Sequence, residues 1–203
     1  MEDTGRDSGK LNQEEIDKLE HAIKQKQIGA VRIYDGALSP EFCDELVEVF
    51  EKNKEHHETL EDERIKCIQY AYSRHHQDEQ IHQELKEHIM SLYEHYLADL
   101  NLPNMIAQKG LESFKIRKYT TDEEDRVDPH IDVVNHDSAI RAVGFLFYLE
   151  DNDAMTNFPR QGIGAQSIKG RVVIYPPHWE YPIIEKMPEK GVKYNMQTYL
   201  HYA

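Results

Sequence analysis

Cysteine is scarce in this chain: two of 203 residues, Cys43 and Cys67. Two distant cysteines make neither a disulfide framework nor a zinc spacing, so they read as buried thiols in a reducing cytosol. Basic charge is also short. Twenty-four Lys and Arg face 38 Asp and Glu, a net charge of −14, which argues against nucleic acid or an anionic membrane as partner. No apolar run reaches the roughly 18 residues of a membrane span, and MEDTGRDSGKLNQEE lacks the apolar core of a secretion signal. G-x-S-x-G, P-loop and dinucleotide-binding glycine patterns are all missing. Neither internal repeats nor low-complexity segments occur.

What remains is 39% hydrophobic and 31% charged, the balance of a highly charged folded protein rather than a disordered one. Residues 1–27 read as a flexible segment and a helix, with Leu11, Ile16, Leu19 and Ile23 at helical spacing; residues 28–203 read as one domain. AVRIYDG is a short strand. LSPEFCDELVEVFEKNKE is a helix with Ser39 as N-cap, Pro40 in the first turn, and Phe42, Leu46, Val47 and Phe50 on one face. The charge run over 51–64 reads as a solvated helix end or loop. RIKCIQYA reads as a strand, and 77–99 as a long amphipathic helix with Ile81, Leu85, Ile89 and Leu92 inward. From residue 105 the period changes from helical to two: SFKIRKY, HIDVV, RAVGFLFYL, GAQSI, GRVVIYP and KYNMQTYLHY. Helices followed by many short strands predict an α+β domain whose C-terminal half is a sandwich or barrel.

Twelve histidines call for sorting. His75, His82, His88 and His95 recur near heptad spacing and read as the polar face of the long helix. Glu79 and His82 form E-x-x-H, but the second copy that a di-iron bundle needs is missing. His130 stands apart. In RVDPHIDVV it precedes Asp132 by two, and on a strand both side chains would share a face. An imidazole and a carboxylate so placed are two thirds of a facial iron site. Lys193, among apolar and aromatic neighbours in GVKYNMQTYL, is a candidate buried cation for a ligand carboxylate.

Taken together, VRIYDGALSPEFCDELVEVFE, FKIRKY before PHID, RAVGFLFYLED, TNFPRQG, GRVVIYPPHW and GVKYNMQTYLHY resemble, in order and spacing, the Fe(II)- and 2-oxoglutarate-dependent dioxygenases of the prolyl-4-hydroxylase-like branch. The resemblance covers roughly residues 30–203. It implies a double-stranded β-helix (jelly-roll) core backed by N-terminal helices. It also implies an oxygenase that uses Fe(II) and 2-oxoglutarate to hydroxylate a peptidyl proline or another side chain, with a protein, peptide or small molecule as substrate. His130 and Asp132 would be iron ligands, and Lys193 would pair with the far carboxylate of 2-oxoglutarate. Tyr119 would line the co-substrate pocket, with Thr198 and Tyr148 as candidates for its wall.

The pattern breaks at the third ligand. In the family a second His lies ten residues before the Lys, and here that position is Ile183, with Tyr181 for the preceding His and Glu185 for a Gly. Val127 likewise stands where a Tyr is usual. His178, the nearest in sequence, is the first candidate for the missing ligand; Glu180, Glu185 and His136 are others, and a centre with two protein ligands is a further possibility. The alternative is a non-catalytic pseudo-oxygenase acting as a ligand- or peptide-binding module.

Overall fold

A computed structural model describes residues 29–72, 79–102, 108–121 and 124–202. The helix expected within residues 1–27 lies outside them. The elements are β1 (Arg32–Tyr34), α1 (Pro40–Lys52), β2 (Glu58–Glu61), β3 (Ile65–Ala71), α2 (Glu79–Asp99), β4 (Gln108–Leu111), β5 (Lys115–Thr120), β6 (Arg126–Val127), β7 (Arg141–Tyr148), β8 (Met155–Phe158), β9 (Ile163–Gln166), β10 (Val172–Tyr175), β11 (Ile184–Lys186) and β12 (Val192–Tyr202). The larger sheet runs β1-β10-β7-β12-β5-β3-β2, with β4 also on β12 and β6 also on β3. The smaller runs β11-β8-β9, and all the pairings in both are antiparallel.

Alternation explains the layers. On β7, Phe145 and Phe147 join the cluster shared with the helices, whereas Leu146 and Tyr148 turn the other way. On β10, Val172 and Ile174 face the helices, and Val173 and Tyr175 do not. The first cluster holds Phe42, Leu46 and Phe50 of α1 and Ile81, Leu85 and Ile89 of α2. The second brings the other face of the large sheet against Phe158 and Ala165 of the small one. A sandwich of two antiparallel sheets, with helices on one outer face, is the result.

Local signals place α1 as expected: the Ser39 hydroxyl accepts from the Phe42 N–H at 3.1 Å, and Pro40 opens the first turn. Described histidines of the heptad row sit against aromatic rings, His82 on Phe114, His88 on Phe42 and His95 on Tyr34. The stretch read as a loop over 51–64 differs in part: Glu58–Glu61 forms β2, pairing with β3. As the last strand of the sheet it is mostly exposed, so its composition carries no apolar alternation. Among the described residues, no helix is long and apolar enough to cross a membrane.

Candidate functional site

Strand β12 is the spine of the site. Its residues Lys193, Asn195, Gln197 and Tyr199 alternate with Tyr194, Met196 and Leu200, which join the helix-side cluster. β5 pairs with it so that Lys193 lies opposite Tyr119 and Asn195 opposite Arg117. The result is a polar row along the sheet face turned away from the helices. Thr198 falls on the other parity and gives its hydroxyl proton to the Glu112 carbonyl at 2.6 Å. It is therefore not part of a pocket wall shared with Lys193, as the resemblance had suggested. Tyr148 does lie on the inner face, buried with Phe158 and Tyr175.

His130 and Asp132 meet, although not on a regular strand. β6 stops at Val127, and His130 makes a single bridge while Asp132 sits in a bend. Their closest atoms, Nε2 and Oδ1, are 3.3 Å apart. His130 Nδ1 lies 2.9 Å from the Asp128 carbonyl, which can only accept. The proton must then sit on Nδ1, and a hydrogen bond from Nε2 to Asp132 needs a second one. Burial opposes that charge, but the Asp132 carboxylate and the Asp128 carbonyl outweigh it and raise the His130 pKa. Burial would likewise raise Asp132; His130, Tyr175 and Tyr199 together hold it below the ordinary carboxylate range.

A chain of hydrogen bonds fixes Asp132 from behind. Tyr175 donates to its Oδ2 at 2.7 Å, and Gln197 Nε2 donates to the Tyr175 hydroxyl at 3.0 Å. Arg117 donates to Gln197 Oε1 at 2.7 Å and to Gln69 Oε1 at 3.1 Å. Arg141 adds a bond to the Asp132 carbonyl at 3.0 Å and grips Glu112 with two nitrogens, at 2.7 and 2.8 Å. A cavity of about 480 Å³ opens in front of this array, lined by His130, Asp132, Arg117, Arg141, Gln197 and Tyr199 among others. Such a volume fits a small ligand or a few residues of a peptide.

The position facing His130 is Ile183. The two exchange both backbone hydrogen bonds, at 3.0 and 2.8 Å, so they are directly opposed and their side chains share a face. Ile183 is 2% exposed and packs in the cluster with Tyr148, Phe158 and Tyr175. Of the other candidate ligands, Glu185 points inward two residues on, near enough for its charge to act on His130, and is paired with Lys193; the remaining three are elsewhere. His178 Nε2 lies 3.3 Å from the Tyr202 hydroxyl, with the two rings stacked. His136 is exposed at the entry to a short 3-10 turn, and Glu180 is exposed. Among the described residues, no group of three or more His, Cys, Asp or Glu could hold a metal ion.

Lys193 is buried, as expected of a cation inside the sandwich. Its Nζ stands 5.2 Å from the centre of the Tyr119 ring. Its partner is Glu185 of β11, whose carboxylate it contacts directly. Tyr119 is buried beside Cys67, and burial pushes its phenol well above the ordinary value. Sequence reasoning singled out Lys193 and Tyr119 but missed Arg117, Tyr175 and Gln197. The parity of β5 and β12 offered a signal, since Arg117 and Tyr119, like Lys193 and Gln197, are an even number of residues apart.

No family model matches the chain, and no curated protein does. Solved structures do. A Pseudomonas putida prolyl-4-hydroxylase is 12% identical, with a TM-score of 0.64 over 90% of this chain and 98% of that one. A viral collagen prolyl hydroxylase from Paramecium bursaria Chlorella virus-1, in its 2OG complex, is 16% identical, with a TM-score of 0.59 over 86% and 97%. A Trichoplax adhaerens prolyl hydroxylase, in complex with a peptide fragment of the hypoxia inducible factor oxygen degradation domain, is 14% identical, with a TM-score of 0.62 over 95% and 94%. At these identities the likeness is one of architecture: the chain has the prolyl-hydroxylase fold.

Proposed function

We propose that this chain is a binding module built on the prolyl-hydroxylase fold, and that it takes a peptide or small molecule in the cavity before His130 and Asp132. The observation that carries the reading is Ile183. It stands opposite His130 on the same face, where a third donor would be needed, and an alkyl side chain has no lone pair to offer. The residues present therefore do not fit a facial iron centre: two adjacent donors are already bonded to each other and to Tyr175, and Lys193 already has a carboxylate. Arg117, Gln197 and His130 are the side chains we assign to ligand contact, because they line the cavity and are held in place from behind. The setting we assign is the cytoplasm, with Cys43 and Cys67 as free thiols. Nucleic acid and membrane remain outside the reading on grounds of net charge.

The second reading is an Fe(II)- and 2-oxoglutarate-dependent oxygenase acting on a peptidyl proline or another side chain. The 3.3 Å approach of His130 to Asp132 and the burial of Lys193 favour it. One experiment separates the two: Fe(II) and then 2-oxoglutarate are added anaerobically to metal-free protein. The binding-module reading expects no visible metal-to-ligand charge-transfer band. A saturable band, lost in His130→Ala, would overturn it in favour of the oxygenase.

A further inference from the structure

We infer that Glu185 is a built-in ligand: its carboxylate fills a carboxylate-binding site made by Lys193 and Tyr119, and that site takes an external small acid once Glu185 is removed. The inference concerns the contact between the two sheets at Lys193 and Glu185, and it does not depend on what the cavity binds.

Three observations carry it. First, the Lys193 side chain is 0% exposed and that of Glu185 only 7%, so both charges are out of water. A buried ammonium needs a counter-charge, and Glu185 is the carboxylate the structure gives it. Second, the two partners come from different sheets. Lys193 is on β12 in the middle of the large sheet, held between β5 and β7, while Glu185 is on β11 at the edge of the small one. β11 is three residues long and, among the described residues, pairs only with β8. The cation is thus fixed, and the anion rides on the most lightly held strand of the pair. Third, the surroundings suit an acid ligand. The Tyr119 ring lies 5.2 Å from Nζ, and the Glu185 charge is felt by Tyr119, Tyr148, Cys67 and His130. Most of these are uncharged, so a second carboxylate entering there would meet the Lys193 ammonium as its main attraction.

Removing the Glu185 side chain leaves a buried lysine without a partner and a void of carboxylate size beside it. A small mono- or dicarboxylate restores the lost pair, with no bond made or broken. The test compares wild type, Glu185→Ala and Glu185→Ala/Lys193→Met by thermal unfolding in EDTA, with acetate, succinate or 2-oxoglutarate added at matched ionic strength. Keeping metal out separates this outcome from that of the iron titration above. Glu185→Ala is expected to unfold earlier than wild type and to recover roughly 3–6 °C at about ten times the Kd of a fitting acid. Wild type and the double variant are expected to move by less than about 1 °C. If Glu185→Ala folds only with acid present, the lone charge is the defect and the inference stands. It fails if Glu185→Ala, folded or not, gains nothing from any acid, even where Lys193→Met rescues it, or if wild type gains as much.

Discussion

Placing a donor opposite His130 tests the central claim most directly. In Ile183→His the new imidazole would share a face with His130, since the two backbones are directly opposed. The apo variant should suffer. Ile183 is 2% exposed among Tyr148, Phe158 and Tyr175, and replacing it by a polar ring costs about 2–3 kcal/mol in lost packing and unsatisfied nitrogen. For a chain of this size that lowers Tm by roughly 4–12 °C. Metal should return the loss. A ligand at about one hundred times its Kd stabilises the folded state by about 2.7 kcal/mol, which nearly cancels the deficit.

Co(II) is the practical probe, because its visible bands report coordination while differential scanning fluorimetry reports stability. Ile183→His should show both saturable bands and a recovered Tm, and Ile183→His/His130→Ala should show neither. Two results would refute the reasoning. Wild type could bind Co(II) as tightly as the variant, which would mean that a third donor is already supplied, by His178, His136, Glu180 or Glu185. Or folded Ile183→His could gain no metal affinity, which would mean that residue 183 does not face the His130–Asp132 pair.

Other expectations follow from the supporting network. Gly144→Ala sets a Cβ 2.9 Å from the ring of Tyr175, the residue opposite it on β10; displacing that ring and its bond to Asp132 should cost roughly 2–4 kcal/mol in urea unfolding. Tyr175→Phe, which keeps the packing and loses only the bond, should cost about 1–2 kcal/mol. Glu112 has its carboxyl lowered to about 2: burial would raise it, but Arg141 and Lys115 prevail. A folded pKa below the unfolded one gives stability that is full above the unfolded value and fades as pH falls from about 4.5 toward about 2. At most about 3 kcal/mol is at stake, and Glu112→Gln should flatten that acid limb in unfolding measured between neutral pH and about pH 3. Cys43 and Cys67 are buried, and burial raises both thiols to about 11; a disulfide reagent should label them only as the protein unfolds, at a rate that follows urea concentration.

Much of the fold was legible because local rules and global packing agree. Ser39-Pro40 before an amphipathic run could hardly be anything but a helix start, and the period-two stretches SFKIRKY, RAVGFLFYL, GAQSI, GRVVIYP and KYNMQTYLHY became β5, β7, β9, β10 and β12, whereas HIDVV formed no strand. His130, Asp132 and Lys193 could be named because charged or ligating residues stood inside apolar patterns. The partners of those residues could not. Arg117, Gln197 and Tyr175 come together through pairings between strands far apart in sequence, and only the register sets which residues meet. Glu185 was named as a candidate metal ligand, but its pairing with Lys193 was hidden for a sharper reason. In β11 the order is Ile-Glu-Lys, and Ile184 is exposed while Glu185 points inward. Binary patterning assigns the apolar residue to the core, so it reads this strand inside out.

That inversion also bears on why the strand was built so. A buried carboxylate on an edge strand is costly unless a cation waits for it, and a buried lysine on β12 is costly unless an anion arrives. Each explains the other, and neither needs anything from outside the chain. The same holds in front, where His130 and Asp132 neutralise one another and Tyr175 closes one of the remaining carboxylate lone pairs. A pocket that awaits a doubly charged acid and a dication keeps charges open for them. In the proposed reading this chain has closed both sets internally, with an alkyl side chain at the seam between them. What lines the cavity floor is Arg117, Gln197 and His130, held from below by bonds to Gln69 and Asp128. The reading therefore expects Arg117→Gln to weaken ligand capture while leaving Tm within a few degrees, because two neutral amide oxygens, rather than a carboxylate, are the partners its guanidinium leaves behind.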